Sequence, residues 1–250
     1  MHPQNRCLLM NTKFRYRSNE KELLDETSIQ PDLLFKNLRE LDFLNRTTGG
    51  HAITLKGIKQ LITDHTKIYH IVDLGCGSGD SLRAIADWAR EYNFNVQLIG
   101  VDMNADVIEY LKKHCSSYPE ITSITADYQE FLDRNTSVDI VHCSLFCHHL
   151  NDDELVRLFT YFSEKVTTGF VINDLQRNWL AYYGAWFFTR LFKGTDLAKN
   201  DGPISVLRSF KASELRHLLE KANIKKYKIQ KKRLFRFLIV GKTDNYGSIS

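Results

Sequence analysis

Residues 71–80 read Ile71-Val72-Asp73-Leu74-Gly75-Cys76-Gly77-Ser78-Gly79-Asp80. An apolar, β-branched run ends in an acid and passes into a D-x-G-x-G-x-G loop. The next residues place apolar side chains on one helical face, at Leu82, Ile85, Ala86 and Ala89. A strand, a glycine turn and a helix bring backbone amides close to a ligand, because glycine lacks a Cβ and a helix N-terminus presents free N–H groups. The stretch therefore predicts a loop that binds a nucleotide-like ligand.

The spacing of the glycines separates two classes of ligand. Counted from Gly75, the dinucleotide fingerprint G-x-G-x-x-G requires a third glycine where Asp80 stands, but that glycine comes one residue early, at Gly79. Asp73, two residues before the loop, repels a diphosphate and attracts an ammonium group. Asp102 ends the next strand-like run, 23 residues after Gly79, where a carboxylate can accept both ribose hydroxyls. These acids favour a positively charged nucleoside, with NAD binding and a ligand-free structural turn as the alternatives.

The composition is that of an ordinary globular protein. The chain has 250 residues, of which 43% are hydrophobic and 26% charged, enough for one α/β domain with an extension. A net charge of +4 does not demand a nucleic acid partner. The five cysteines are scattered without a C-x-x-C pair, which is typical of free thiols and predicts a cytoplasmic location. The polar N-terminus lacks the apolar core of a signal peptide. A transmembrane segment is not predicted, because the sequence has no run of about 20 apolar residues.

Strand-like and helix-like segments alternate from about residue 68 to residue 174. Strands are predicted at 68–74, 96–102, 121–126, 138–145 and 168–174, and helices near 80–92, 104–116 and 151–165. Asn104 is a predicted N-cap, and Asn151 with Glu154 resembles a capping box. Alternating units imply a parallel sheet with helices on both faces and a ligand at the carboxyl ends of the strands. A helix at 211–223 and an antiparallel hairpin of strands near 227–233 and 235–242 are predicted to close the chain.

Two segments lie outside this alternation. Residues 1–67 are predicted to form an N-terminal helical cap or lid, with helices near 19–26, 31–45 and 54–65. Residues 68–250 are predicted to form the main domain, with a helical insertion at about 175–205 that ends in a predicted loop at Lys199–Pro203. Between Leu175 and Phe192 the insertion is aromatic on nearly every side. It is either buried between the core and the N-terminal helices, the wall of an apolar substrate pocket, or a contact with a membrane surface.

Several motifs together resemble the class I S-adenosylmethionine (SAM)-dependent methyltransferases. They are the loop at 71–80, Asp102, the triplet Thr125-Ala126-Asp127, and the run from Val138 to Leu150. The last run ends in His-His-Leu, which is similar to the small-molecule branch that includes quinone and polyketide methylases. The resemblance covers about residues 68–242. It implies a Rossmann-like α/β fold with a seven-stranded, mostly parallel sheet whose last strand is antiparallel.

The resemblance also implies the cofactor, SAM, and its product, S-adenosylhomocysteine (SAH). The residues expected to bind it are Asp73, Gly75, Cys76, Gly77, Gly79, Asp102, Met103, Asp127, Tyr128 and Ser144. Within this set, Asp127 and Tyr128 are implied to border the adenine.

Methyl transfer requires an acceptor atom in line with the sulfur–methyl bond and, for a phenol of pKa near 10, a base. His148 and His149 follow the fourth strand and are the candidate bases. Asp174, at the end of the fifth strand, could orient a substrate hydroxyl or a histidine. Each has a structural alternative, since a histidine can cap the next helix or hold the cofactor loop, and an aspartate can cap a helix. His142 lies inside a strand and is expected to be a packed core residue.

A metal site is not expected. Cys143 and Cys147 stand next to His148 and His149, a composition that could suggest zinc. Consecutive residues of a strand, however, point to opposite faces of the sheet, so these side chains do not converge.

The sequence therefore favours an enzyme that methylates a small, apolar, aromatic acceptor, on oxygen rather than carbon or nitrogen. Ser144-Leu145-Phe146-Cys147 stands where adenine-N6 methyltransferases carry an Asn-Pro-Pro-Tyr type motif, which makes a nucleic acid methyltransferase the weaker enzyme hypothesis. The non-enzymatic alternative is a SAM-binding regulator or membrane-associated accessory protein without turnover. Peripheral membrane contact and the oligomeric state stay open.

Overall fold

The computed structural model describes residues 12–25, 29–134 and 137–243, so the predictions for residues 1–11, Cys7 among them, lie outside it. Its strands are β1 (Ile68–Leu74), β2 (Asn95–Asp102), β3 (Ile121–Thr125), β4 (Val138–Ser144), β5 (Val166–Leu175), β6 (Tyr227–Lys232) and β7 (Arg236–Lys242). Its helices are α1 (Pro31–Thr47), α2 (Gly50–Ile58), α3 (Asp80–Glu91), α4 (Ala105–His114), α5 (Tyr128–Asp133), α6 (Asp152–Lys165), α7 (Trp179–Leu191), α8 (Asp196–Arg208) and α9 (Ala212–Lys221). Short 3-10 turns lie at Leu23–Asp25 and Cys147–His149.

The strands form one sheet in the order β3-β2-β1-β4-β5-β7-β6. Neighbours from β3 to β5 pair in parallel, whereas β7 is antiparallel to both β5 and β6. Alternate residues of β1 belong to different hydrophobic clusters, because Ile71 packs with α2, α3 and α4 and Val72 packs with α6 and α9. Helices therefore cover both faces. The predicted fold class, a Rossmann-like sheet of seven strands with an antiparallel last strand and N-terminal helices, is confirmed.

Local signals place most of the element ends. Asn104 caps α4 by accepting hydrogen bonds from the amides of Asp106 and Val107. Asn151 and Glu154 form the predicted capping box at the start of α6. The five parallel strands begin and end within two residues of their predicted limits, and β6 and β7 form the predicted hairpin.

Two predictions fail where distant residues take up backbone hydrogen bonds. The helix predicted at 19–26 is only the 3-10 turn as far as residue 25, because the amides of Leu23 and Leu24 donate to the carboxylate of Asp201. The loop predicted at Lys199–Pro203 lies inside α8. Proline cannot donate to the Lys199 carbonyl one turn earlier, and Nη1 of Arg190 donates to that carbonyl at 3.5 Å.

Helix α2 differs from its predicted limits of 54–65 and lies directly on the sheet. It begins at Gly50 after Gly49, whose φ of +78° favours glycine. A Cβ on Gly57 would lie 2.4 Å from Cγ1 of Val171 in β5, so the helix approaches the strand more closely than alanine permits. Ile58 ends the helix and is fully buried. The N-terminal region therefore contributes to the core of the sheet.

The aromatic stretch forms helix α7, and none of its residues is buried. The interpretation that it is buried between the core and the N-terminal helices is therefore wrong. The helix packs on α8, where Ala185 and Thr189 approach Gly202. Among the described residues, no helix has both the length and the apolar character needed to cross a membrane.

Candidate active site

A cavity of about 540 Å³ opens at the carboxyl ends of β1, β2 and β4, where the strand order reverses. Helix α1 lines its other side with Leu34, Leu38, Leu41 and Asn45. Nine of the ten predicted cofactor residues line the cavity: Asp73, Gly75, Cys76, Gly77, Asp102, Met103, Asp127, Tyr128 and Ser144. The tenth, Gly79, precedes α3 with φ of +70° and lies against Leu111 and Cys115 at the end of the adjacent helix α4. Gly79 therefore allows the chain to turn into α3, and it does not line the cavity.

Asp73 is held from below by a buried hydrogen-bonded chain. Its Oδ1 lies 2.7 Å from Nδ1 of His142, whose Nε2 lies 3.1 Å from Oγ1 of Thr54. Asn173 donates from Nδ2 to the same Thr54 oxygen at 3.1 Å. These contacts are consistent with a His142 that donates to Asp73 and accepts from Thr54. Burial raises the pKa of Asp73, and His142 opposes that shift. His142 is fully buried, as predicted, and it also orients the carboxylate.

Asp102 lies between the glycine loop and the start of α4. Its Oδ2 accepts from the Gly77 amide at 3.3 Å, and its Oδ1 accepts from the Asn104 amide at 3.0 Å. Burial raises the pKa of this carboxyl, while the two amides lower it. Asp127 caps α5 by accepting from Gln129 at 2.7 Å, which places Tyr128 on the cavity wall. The two acids thus occupy successive strand ends on the same side of the cavity.

His148 is buried and does not line the cavity. Its Nδ1 lies 2.7 Å from Oδ1 of Asp174, and its backbone amide donates to Oδ2 of the same carboxylate at 3.2 Å. Although burial acts in the opposite direction, His148 lowers the pKa of Asp174. Asp174 is itself fully buried. The structure therefore pairs two of the three predicted catalytic residues with each other, beneath the cavity wall.

His149, in contrast, lines the cavity with a side chain that is 21% exposed. Its Nδ1 lies 2.7 Å from Oδ1 of Asp25, a residue of the N-terminal 3-10 turn. Arg208 donates to Oδ2 of Asp25 at 2.6 Å and to the carbonyl of His149 at 2.6 Å. Burial opposes the effect, yet the bonds from His149 and Arg208 hold the pKa of Asp25 well below its usual range. The imidazole is thus fixed at one nitrogen, with the other turned away from Asp25.

Glu22 lies between the two histidines. Its Oε1 is 3.6 Å from Nε2 of His148, and its Oε2 is 3.9 Å from Nε2 of His149. The side chain is buried and Oε1 has no hydrogen-bond partner among the described residues. Burial raises the pKa of Glu22 to about 7, against the attraction of His149 and Arg208.

Sequence reasoning did not identify Glu22, Asp25, Thr54 or Asn173 as parts of the site. No local spacing marks them, because each lies at least 88 positions from the histidine or the helix it supports. The one available signal was an excess of polar residues in otherwise apolar segments, such as Asn173 within β5. That signal does not name a partner.

The cysteines do not resemble metal ligands. Cys143 is fully buried, and burial raises the pKa of its thiol well above the usual range, whereas zinc binds the thiolate. Two groups of acidic and histidine side chains lie close together among the described residues, Glu22 with His148 and His149, and Asp42 with His51 and Asp80. In the second group Nε2 of His51 is already paired with Asp80 at 2.8 Å.

Comparison with protein families gives one match. Residues 71–169 match the family profile described as a methyltransferase domain. This stretch begins at the strand that carries the glycine loop and ends in β5. It includes Asp102, Asp127, His148 and His149. A comparison with curated protein sequences found no match.

Solved structures share the fold at low sequence identity. The plantazolicin methyltransferase BpumL, solved with SAH, is 15% identical with a TM-score of 0.65 over 96% of this chain and 98% of its own. A SAM-dependent methyltransferase from Aquifex aeolicus is 13% identical with a TM-score of 0.58, over 86% of this chain and 99% of its own. Human N-acetylserotonin methyltransferase, solved with SAM, is 14% identical with a TM-score of 0.58, over 86% of this chain and 56% of its own.

Proposed function

We propose that this chain is a SAM-dependent methyltransferase that methylates a small, apolar, phenolic acceptor on oxygen. The observation that carries the proposal is the Asp25–His149 pair on the wall of a largely apolar cavity. Beside His149, the side chains of Leu24, Leu145, Phe146 and Leu150 line the cavity. An apolar wall with a single basic group suits an acceptor that is aromatic over most of its surface and carries one hydroxyl.

Two features of the cavity, its open space beside Gly77 and its carboxylates, support cofactor binding there. A Cβ on Gly77 would point into the space toward α1, with only Leu38 within 4 Å, so the loop leaves room there that other residues would fill. The carboxylates of Asp73, Asp102 and Asp127 lie at three successive strand ends around the cavity. When bound, SAM supplies a methyl group on a positively charged sulfur. In this proposal Asp102 accepts the ribose hydroxyls, Tyr128 borders the adenine, and Asp73 acts near the ammonium end.

His149 takes the acceptor proton in the proposed mechanism. Its Nδ1–H donates to Asp25, which leaves Nε2 as the acceptor nitrogen. A phenol with a pKa near 10 is mostly protonated at neutral pH, so a base next to its oxygen increases the fraction able to attack. His148 and Asp174 do not reach the cavity, and their role in the proposal is to position the turn that carries His149.

The test is SAH production from a panel of phenols, quinols and hydroxylated lipids. His149→Ala is expected to lower turnover by about 10²- to 10⁴-fold at neutral pH, with SAH affinity retained. The loss should shrink at alkaline pH, where the phenol ionises without help. His148→Ala is the comparison variant and is expected to lower turnover less than His149→Ala, because His148 acts only by positioning the turn.

Full turnover by His149→Ala at every pH would refute the base assignment. Turnover on RNA or DNA alone would establish the nucleic acid alternative. Tight SAH binding without turnover on any acceptor would favour the non-catalytic accessory protein.

A further inference from the structure

None of the residues of helix α7 is buried, whereas each of the other described α-helices has buried residues. Eight large apolar side chains of this helix and its C-cap are 44% to 73% exposed: Trp179, Leu180, Tyr183, Trp186, Phe187, Phe188, Leu191 and Phe192. Soluble monomers rarely leave so many adjacent large apolar side chains in water, which indicates an interaction surface. The cavity wall includes no residue of this helix. The interpretation that the aromatic stretch forms the wall of an apolar substrate pocket is therefore wrong.

The exposed apolar surface wraps around most of α7. The helix touches α8 along a narrow strip, where Ala185 and Thr189 meet Gly202. With 3.6 residues per turn, the eight exposed side chains cover an arc of about 240° around the axis. A flat protein surface covers one side of such a helix. The hydrocarbon and headgroup region of a bilayer can surround three sides at once.

The charges around α7 complement an anionic surface. No Asp or Glu occurs from Asn178 to Lys193, while Arg190 and Lys193 lie at the helix end. The Arg190 guanidinium lies 4.6 Å from the centroid of Trp186, an arrangement in which the cation stays at the edge of the aromatic surface. Lys13 donates to the hydroxyl of Tyr182 at 2.7 Å and adds a third cation beside the helix. Tryptophan, tyrosine and basic residues together are typical of the bilayer interface.

We propose that α7 docks this protein on the surface of a phospholipid bilayer that contains anionic lipid. The helix lies in the interface with its aromatic side chains among the acyl chains and headgroups, while Arg190 and Lys193 pair with lipid phosphates. This docking does not depend on methyl transfer.

Helix α1 links this surface to the cavity. Glu40 of α1 accepts hydrogen bonds from the amide and hydroxyl of Thr195, just after α7. Phe43 and Leu44 follow three and four residues later on the same side of α1 and are 68% and 45% exposed. The same helix lines the cavity through Leu38 and Leu41. If the proposed function holds, the acceptor is a phenol dissolved in the bilayer that reaches the cavity along α1.

Vesicle binding tests the proposal directly. The protein is mixed with phosphatidylcholine vesicles, with or without phosphatidylglycerol, and binding is followed by co-sedimentation and tryptophan emission. Two of the three tryptophans lie in α7 and the third, Trp88, is buried, so a blue shift reports on α7. We expect binding and a blue shift with anionic vesicles, and weaker binding at high salt.

Variants separate the apolar and the charged contributions. Phe187→Ser with Phe188→Ser is expected to weaken vesicle binding by about tenfold or more. Arg190→Gln with Lys193→Gln is expected to reduce the preference for anionic over neutral vesicles. Tyr92→Ser, which removes a 49% exposed aromatic ring at the end of α3, is the matched control and should bind vesicles like the parent protein.

Three results would overturn the proposal. The first is no binding to either kind of vesicle, and the second is unchanged vesicle binding by the double phenylalanine variant. The third is self-association of the parent protein in light scattering that the double phenylalanine variant abolishes. That result would assign the surface to a second copy of the chain. Turnover of a water-soluble phenol without vesicles should not change in the variant, because Phe187 and Phe188 lie outside the cavity. Vesicle binding without any methyl transfer would refute only the proposed function.

Discussion

Asp102 and Glu22 show how burial affects two carboxyl groups with different partners. Both are removed from water, which disfavours their charged forms. Asp102 accepts from two backbone amides and faces the cavity, whereas Oε1 of Glu22 has no hydrogen-bond partner among the described residues. Asp102 is therefore suited to accept further hydrogen bonds from a ligand. Glu22 instead lowers the stability of the folded protein once it ionises.

Asp102→Ala is expected to weaken SAH binding by about 1–3 kcal/mol, because charged hydrogen bonds to the ribose and the link to Gly77 are lost. Titration calorimetry with SAH measures the change. Glu91→Gln, on the exposed side of α3, is the control and should bind SAH as the parent protein does. An unaltered affinity in Asp102→Ala would contradict the assignment of Asp102 to the cofactor.

Glu22→Gln is expected to change how stability depends on pH. The folded pKa of about 7 lies above the unfolded value of 4.5, so the folded state holds this proton longer. Both states are protonated below pH 4.5, and the stability contributed by the protonated form is lost as the pH rises through 7. Glutamine does not ionise, so the variant should gain roughly 2–3 kcal/mol relative to the parent between pH 4.5 and 8.

Urea unfolding of both proteins at acid and alkaline pH measures this difference. Asp25 and Asp174 are present in both proteins, so their own losses of stability in acid largely cancel. Glu109→Gln, an exposed position in α4, is the control and should follow the pH curve of the parent. Parallel curves for the parent and Glu22→Gln would show that Glu22 does not hold a raised pKa.

At the scale of elements, two helical glycines have opposite surroundings. Gly57 places α2 against β5, where a Cβ would lie 2.4 Å from Val171. At Gly184 of α7, no atom of another described segment lies within 4 Å of the place where a Cβ would lie. Both belong to regular helices, so helix propensity favours alanine at either site by about 1 kcal/mol. Packing therefore decides the sign of the substitution.

Gly57→Ala is expected to destabilise the protein by about 1–3 kcal/mol, since overpacking exceeds the gain in propensity. Gly184→Ala should stabilise it by roughly 0.5–1 kcal/mol. Thermal or urea unfolding of the two variants provides the comparison. Stabilisation by Gly57→Ala would show that α2 lies farther from β5, and destabilisation by Gly184→Ala would show that position 184 is not open.

Element limits could be predicted where the signal is local. The strands β1, β2 and β4 each carry an acid or a polar residue at or next to their last position, namely Asp73, Asp102 and Ser144, and their limits agree with the prediction within one residue. Helix α8 could not be predicted, because Gly202 and Pro203 favour a loop locally. Two hydrogen bonds stabilise it instead: Arg190 donates to the carbonyl of Lys199, and the carboxylate of Asp201 accepts from the Leu23 amide of the N-terminal turn.

At the scale of the whole molecule, the described part of the N-terminal region belongs to the same folded unit as the sheet. Arg17 donates to the carbonyls of Leu150 and Arg208 and pairs with Asp152 at 2.8 Å. Leu61 is fully buried in the cluster that contains Ile71 of β1. The division at residues 67 and 68 stays a prediction about sequence organisation, and the contacts predict that both parts unfold together.

Urea unfolding followed by far-UV circular dichroism and by tryptophan fluorescence should therefore give coincident transitions. The two optical signals report on different parts of the chain, because the helices are spread over the sequence and the tryptophans lie in α3 and α7. An early loss of helical signal before the fluorescence change would show that α1 and α2 unfold separately. Saturating SAH should move both transitions to higher urea by the same amount.

The sequence by itself determined the sheet, the glycine loop and the acids at the strand ends, because these depend on residues close together in the chain. Only the tertiary structure decided which of two adjacent histidines faces the cavity. His148 turns toward Asp174 of β5, and His149 turns toward Asp25, 124 positions away. It also decided that the aromatic helix lies outside the core. Both results depend on contacts between distant segments, and residue spacing carries no record of such contacts.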